Sequence, residues 1–419
     1  MAFLRIRPPR LILALALFAA FLGCSNRERA NPLDPQNGET AGSPSGFTAV
    51  ALSGQVLLSW NASPGPGFQV FRRAENETGF VSVSNVLPAR NTLFTDSNAP
   101  NGVTYHYRLH FMTSQGITGP PATAEATPSR VVAWAADAGR GSLLRLSADG
   151  REIAFEEPGF GRPSHLEVDK ARDLVWIADP DGFRVVIYVA SPGVRVNVPG
   201  FFDPAVIAID PFDGSAWISD FRDNVVRHVL TSGSPGTPAS IPLLDGPLGV
   251  DVDHDSRVLW VCERRANKVR RFAPDGQLLG TLSVTSPSRV ATDSSNGEAW
   301  VTSFETGTLL HVSPALATLH TITSLSGPVG VAVDHRRGRI WVADPVASQV
   351  IAFNSNDGIE QFRVHGLVGA RDVAVELASG EAWVTRDGAI TRVSPTGVVG
   401  TSSRLLSAPV AVGLDRVGP

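Results

Sequence analysis

From residue 130 onward short apolar runs alternate with turns, and the runs come back in a fixed order. One unit reads GPVGVAVD over 327–334, RIWVAD over 339–344, QVIAF over 349–353 and EQFRV over 360–364. Runs of five to eight residues rich in Val, Ile, Ala and Trp, separated by Gly, Asn, Asp and Ser, predict strands, here termed a, b, c and d. Tryptophan marks strand b of every unit, at 134, 176, 217, 260, 300, 341 and 383, with steps of 42, 41, 43, 40, 41 and 42. An acid closes strand a at Asp169, Asp210, Asp253, Asp293, Asp334, Glu376 and Asp415.

A period near 41 in an all-β segment predicts four-stranded propeller blades, seven of them over residues 130–419. The register is offset. The first unit begins at strand b with Trp134, whereas the last strand a, Val410 to Asp415, has no strand b after it. Pairing of that C-terminal strand with the N-terminal strands would complete one blade and remove the open edges. An open solenoid would instead need polar caps, and no such segment is present. Strands a crowd the axis of such a ring, so small residues are expected there. Ala208, Gly249, Ala291, Gly330, Ala332, Ala374 and Gly413 meet that expectation.

Residues 46–128 carry a different pattern, with strands over 56–60 (VLLSW), 67–73 (GFQVFRR) and 102–109 (GVTYHYRL). Alternating runs over a segment of this size predict a β-sandwich. Before it, residues 24–45 are polar, rich in Pro, Gly and Asn, and read as a flexible linker. Residues 1–23 read as a targeting segment: Arg5, Arg7 and Arg10, then the apolar stretch Leu11 to Leu22, then Gly23 before Cys24. That stretch is too short to span a bilayer as a helix.

Composition changes the picture in two ways. Forty Gly, 31 Pro and only two Cys describe a turn-rich all-β chain with no disulfide framework, and Cys262 lies within a strand as a small apolar residue. Loss of the leader takes the formal charge from -4 to -7, which argues against nucleic-acid binding. The cluster Arg264, Arg265, Lys268, Arg270 and Arg271 is the basic exception and reads as a solvated blade edge.

Four resemblances follow. The segment FLGC at 21–24 resembles the lipobox of bacterial lipoproteins, with Phe21 where Leu is usual; it implies a lipid on Cys24 and a place in the cell envelope. An ordinary secretory peptide is the alternative, and both lead out of the cytoplasm. Residues 46–128 resemble a fibronectin type III domain, in which Trp60 would be the core tryptophan and Tyr105 the corner tyrosine. WVAD, then VxxF, then PDG, preceded by GPxGVxVD, resembles the NHL repeat, most nearly from Gly246 to Gly276. The fourth resemblance is to the SMP-30 and streptogramin lyase relatives of that propeller.

No P-loop, dinucleotide fingerprint, zinc helix or nucleophile elbow is present. The expected site is the channel mouth where strands a begin and strands b end. His165, Arg289, Arg371 and Asp372 come from the starts of strands a. Asp137, Asp179, Asp220, Glu263 and Asp344 come from the ends of strands b, where Ser303 and Arg386 replace the acid. Glu167 and Asp251 break the small-residue rule deeper in the channel. The recurring acids read as turn acceptors, and residues that differ between blades read as site. Candidate binding residues are His165, Glu167, Asp251, Glu263, Arg289, Arg371 and Asp372. Two function classes remain open. One is a monomeric, lipid-anchored protein that binds a protein or glycan partner and needs no cofactor. The other is an enzyme of the streptogramin lyase or lactonase type, which implies a His or Glu base beside Mg²⁺ or Ca²⁺.

Overall fold

A computed structural model describes residues 42–63, 67–113, 116–129, 131–190, 193–403 and 406–416. The leader, Cys24 and most of the linker lie outside the described residues. The chain divides into two compact units between Pro128 and Ser129. Among the described residues no helix is long and apolar enough to cross a membrane.

The first unit contains β1 (Thr48–Ala51), β2 (Val56–Ser59), β3 (Gly67–Ala74), β4 (Val81–Ser82), β5 (Leu93–Asp96), β6 (Tyr105–Thr113) and β7 (Gly116–Ala126). They form two antiparallel sheets, ordered β1-β2-β5 and β4-β3-β6-β7. Alternate residues turn inward: Val56 and Leu58 on β2, Phe68 and Val70 on β3, and Tyr105, Tyr107, Leu109 and Phe111 on β6 are buried. Trp60, just past β2, packs its ring 5.5 Å from that of Phe68 and joins the sheets. Buried Asp96 accepts hydrogen bonds from the Tyr107 hydroxyl at 2.9 Å and from Arg72 at 2.8 Å. Burial beside this carboxylate raises the Tyr107 hydroxyl well above its ordinary pKa. The buried tyrosine hydroxyl bond is therefore made by Tyr107, two residues past Tyr105. Tyr105 faces the same side, with the Arg72 guanidinium 4.7 Å over its ring.

The second unit holds seven four-stranded antiparallel sheets among its described residues. In six of them the strands follow chain order, as in Val331–Asp334, Arg339–Asp344, Gln349–Asn354 and Glu360–His365. In the other, Pro409–Arg416 pairs with Val131–Asp137, so that Gly413 lies opposite Trp134. The innermost strand of each sheet touches the innermost strand of the next. Pro409–Arg416 touches both Val373–Glu376 and His165–Asp169, and the circuit closes.

Each strand-b tryptophan is at most 2 % exposed. The indole fills the space between its own sheet and the following one: Trp176 packs with Ile207 and Ile218, and Trp383 with Ala133 and Leu144. On strand c the residue opposite the tryptophan is Arg145, His228, Arg271, His311 or Arg392 in five sheets. The two histidines stack at 4.2 and 4.1 Å from their indoles. The arginines lie over theirs, Arg271 at 4.8 Å from the Trp260 ring.

Candidate functional site

The strand registers define levels along the axis. The residues of strands a opposite the seven tryptophans are Gly413, Glu167, Ala208, Asp251, Ala291, Ala332 and Ala374. Five are small, as crowding at the axis demands, and two are acids. Two residues nearer the strand starts, on the same side by the two-residue pleat, stand Ala411, His165, Val206, Gly249, Arg289, Gly330 and Asp372. A channel of about 300 Å³ runs along these levels, lined by His165, Glu167, Asp251, Arg289 and Asp372 and, toward the far face, by Lys170 and His254.

Burial governs the electrostatics of this channel. It pushes the Glu167 carboxyl up to about 8, with Asp251 and then Asp372 adding to the shift. Asp251 is raised by burial too, opposed by hydrogen bonds to one carboxylate oxygen from the Thr292 backbone N–H at 2.7 Å and hydroxyl at 2.8 Å. Asp372 is raised by burial and opposed by Arg289 and by the Val412 N–H at 2.9 Å. His165 is held well below its ordinary value by burial, with Arg289 adding to the effect, and its Nδ1 accepts the Ile207 N–H at 3.2 Å. Burial lowers Arg289, and Asp372, Cys262 and Glu167 oppose that. Cys262 is a buried free thiol raised by burial, the opposite of what a nucleophile needs.

Above the channel a mouth of about 770 Å³ opens, and Val206 and Arg289 line both spaces. The residue after each strand-b end faces this mouth. Those seven positions hold Ala138, Pro180, Phe221, Arg264, Phe304, Pro345 and Asp387. Arg371 lies on the mouth wall and is exposed.

Solved structures share this architecture. Virginiamycin B lyase from Staphylococcus aureus matches at 16% identity and a TM-score of 0.51, over 58% of this chain and 84% of that one. A streptogramin B lyase matches at 14% identity and 0.54, over 61% and 87%. A functionally unknown protein from Desulfotomaculum acetoxidans matches at 15% identity and 0.59, over 68% and 99%. The second unit is a β-propeller. At these identities the likeness is one of fold alone. No family model matches the chain, and no curated protein does.

In this propeller the strand-b acids hold loops. Asp179 accepts the backbone N–H groups of Gly161 and Arg162 and pairs with Arg184 at 3.0 Å. Asp220 accepts Phe202 and Asp203, and Asp137 accepts Ser407 and Ala408. Asp344 accepts Ser326 and Ala347. Glu263 belongs with them and not with the channel residues: it is 1 % exposed, accepts the Asp245 N–H and pairs with Arg270 at 2.8 Å. The basic cluster is likewise absorbed, with Arg264 on Glu305 at 3.0 Å, Arg265 on Asp245 at 3.6 Å and Arg271 over Trp260. Arg264 and Arg265 remain partly exposed while making these pairs.

Of the seven expected site residues the structure brings five into the channel, puts Arg371 on the mouth wall above them and leaves Glu263 aside. Phe221 and Phe304 were not singled out from sequence. The signal for them was available, since each follows a recurring position and stands where the residue changes chemistry among the units. Among the described residues no group of three His, Cys, Asp or Glu side chains is placed to hold a metal ion.

Proposed function

We propose that this chain is a binding protein of the cell envelope, anchored through a lipid on Cys24 and presenting the mouth of a seven-bladed propeller to a protein or glycan partner. Residues 1–23 would be the lipoprotein leader, 24–45 the tether, 46–128 a fibronectin type III-like sandwich that spaces the propeller, and 130–419 an NHL-like ring. The observation that carries this reading is the division of labour among loop positions. Recurring acids hold the loops, and the variable residues beside them all converge on one depression above a polar channel. The test compares capture of envelope proteins and glycans by the full chain with capture by Phe304→Asp, and by Phe212→Asp on the opposite face. Partners lost with the first variant and kept with the second support the mouth; equal loss or equal retention refutes it. Cys24→Ser should move the protein from the membrane fraction to the soluble fraction.

A second reading is favoured by one pairing. Glu167, with its raised pKa, and neutral His165 share a channel beneath the mouth, as a proton-transfer site would need. An enzyme of the streptogramin lyase or lactonase type would also hold Mg²⁺ or Ca²⁺ there. Metal analysis of the purified chain decides: stoichiometric metal lost in Glu167→Ala supports the enzyme, and a metal-free chain with unchanged partner capture supports the binding protein.

A further inference from the structure

Arg289 is the one cation at the boundary between mouth and channel. Its guanidinium makes no hydrogen bond or ion pair with a described residue, and the charges of Asp372, Cys262 and Glu167 act on it only through space. Of the other mouth arginines, Arg264 is held by Glu305 at 3.0 Å and Arg162 by Asp181 at 3.5 Å, while Arg371 lies exposed on the wall. The guanidinium is half-buried and faces open space, so its five donors are free to receive an anion.

The innermost strands around Arg289 approach one another backbone to backbone. The neighbouring sheets place Gly249 and Gly330 at its level. A Cβ on Gly249 would stand 2.7 Å from the Arg289 Cα, and one on Gly330 would stand 2.6 Å from the Arg371 carbonyl oxygen. Side chains are therefore excluded there, and the guanidinium is approached from the mouth. An anion that arrives is kept to the mouth side of Arg289, because Asp372 stands at the same level and Glu167 and Asp251 line the channel beyond.

Phe221, Phe304, Val329 and Val346 form the apolar part of the mouth wall, beside the charged Arg162, Asp203, Arg264, Arg371 and Asp387. Apolar surface continues past it onto the surrounding loops, where Phe183 is 57%, Phe202 54%, Leu243 90% and Val368 56% exposed. The Phe183 and Phe202 rings lie 6.2 Å apart. Exposed apolar side chains on the loops around a mouth fit a macromolecular contact.

We propose that the mouth captures the C-terminus of a protein partner, with the terminal carboxylate on Arg289 and the apolar last residues against Phe221, Phe304 and Val346. This rests on the mouth being the binding site and adds what enters it. The experiment uses the full-length chain and a pool of fluorescent hexapeptides randomised at the last three positions, in free-acid and C-terminal amide forms, with polygalacturonate as a third probe. The acid pool should be retained and enriched in apolar endings, and the amide pool bound about tenfold to hundredfold more weakly. Arg289→Gln should erase that difference without lowering the melting temperature, since the guanidinium has no internal hydrogen bond to lose; Arg289→Lys should restore part of it. Equal binding of acid and amide overturns the inference, as does Arg289-dependent binding of polygalacturonate alone. If no pool is retained, the inference fails, while the mouth itself stands or falls by Phe304→Asp in the capture experiment.

Discussion

Glu167 shows how much one side chain can reveal about its surroundings. A carboxyl raised to about 8 inside the channel keeps its proton while the unfolded chain, near 4.5, has released it. Between those values the native state binds more protons than the unfolded state, so stability falls as pH rises from about 4.5 to 8. Thermal melts across that range should show a declining midpoint, and Glu167→Gln should flatten the decline. His165 acts in the opposite direction. Its depressed value means that the unfolded chain takes up a proton first, so stability drops as pH falls below 6.5. His165→Gln should remove that acid-side loss, as measured by the same melts. Both residues were legible in the sequence, Glu167 because it breaks the small-residue rule and His165 because it differs from its counterparts at the strand starts. Their mutual influence was not, because it depends on which strands meet across the axis.

At the scale of strands and turns, repetition and variation separate support from site. Asp179 is fully enclosed and satisfies two backbone donors and Arg184. Asp179→Ala strands all three partners and should cost about 3–5 kcal/mol in chemical denaturation. Trp341 has no partner for its indole nitrogen. Trp341→Ala should therefore cost about 3–5 kcal/mol through lost packing, and Trp341→Phe clearly less because no hydrogen bond disappears with the indole. Periodicity exposed the strands, the tryptophans and the turn acids, since each repeats. Phe221 and Phe304 went unnoticed because the position they occupy has no common chemistry, and Glu263 was kept as a candidate although Asp179 and Asp220 fill the same role. In the first unit the choice between Tyr105 and Tyr107 turned on reach: the two share a face of one strand, and only the latter meets Asp96.

Across the whole molecule, closure is set by one pairing. The offset between the first strand b and the last strand a was visible in the sequence, and the strand that closes the circuit runs from Pro409 to Arg416, slightly longer than the predicted span. Removing residues 409–419 should leave Val131–Asp137 as an open inner edge and expose the apolar residues around Ala133 and Leu144. Limited proteolysis should then cleave first within 131–158, and dye binding to apolar surface should rise; a truncated chain as resistant as the full one would contradict the closure.

If the chain is exported as proposed, the late position of that closing strand bears on how the protein reaches its destination. A polypeptide threaded outward from its N-terminus delivers residues 131–158 to the far side long before their partner strand emerges. Until it does, the incomplete sheet offers a pairing edge to any passing extended segment, so secretion speed and the chaperones waiting outside would govern how much material matures and how much clumps.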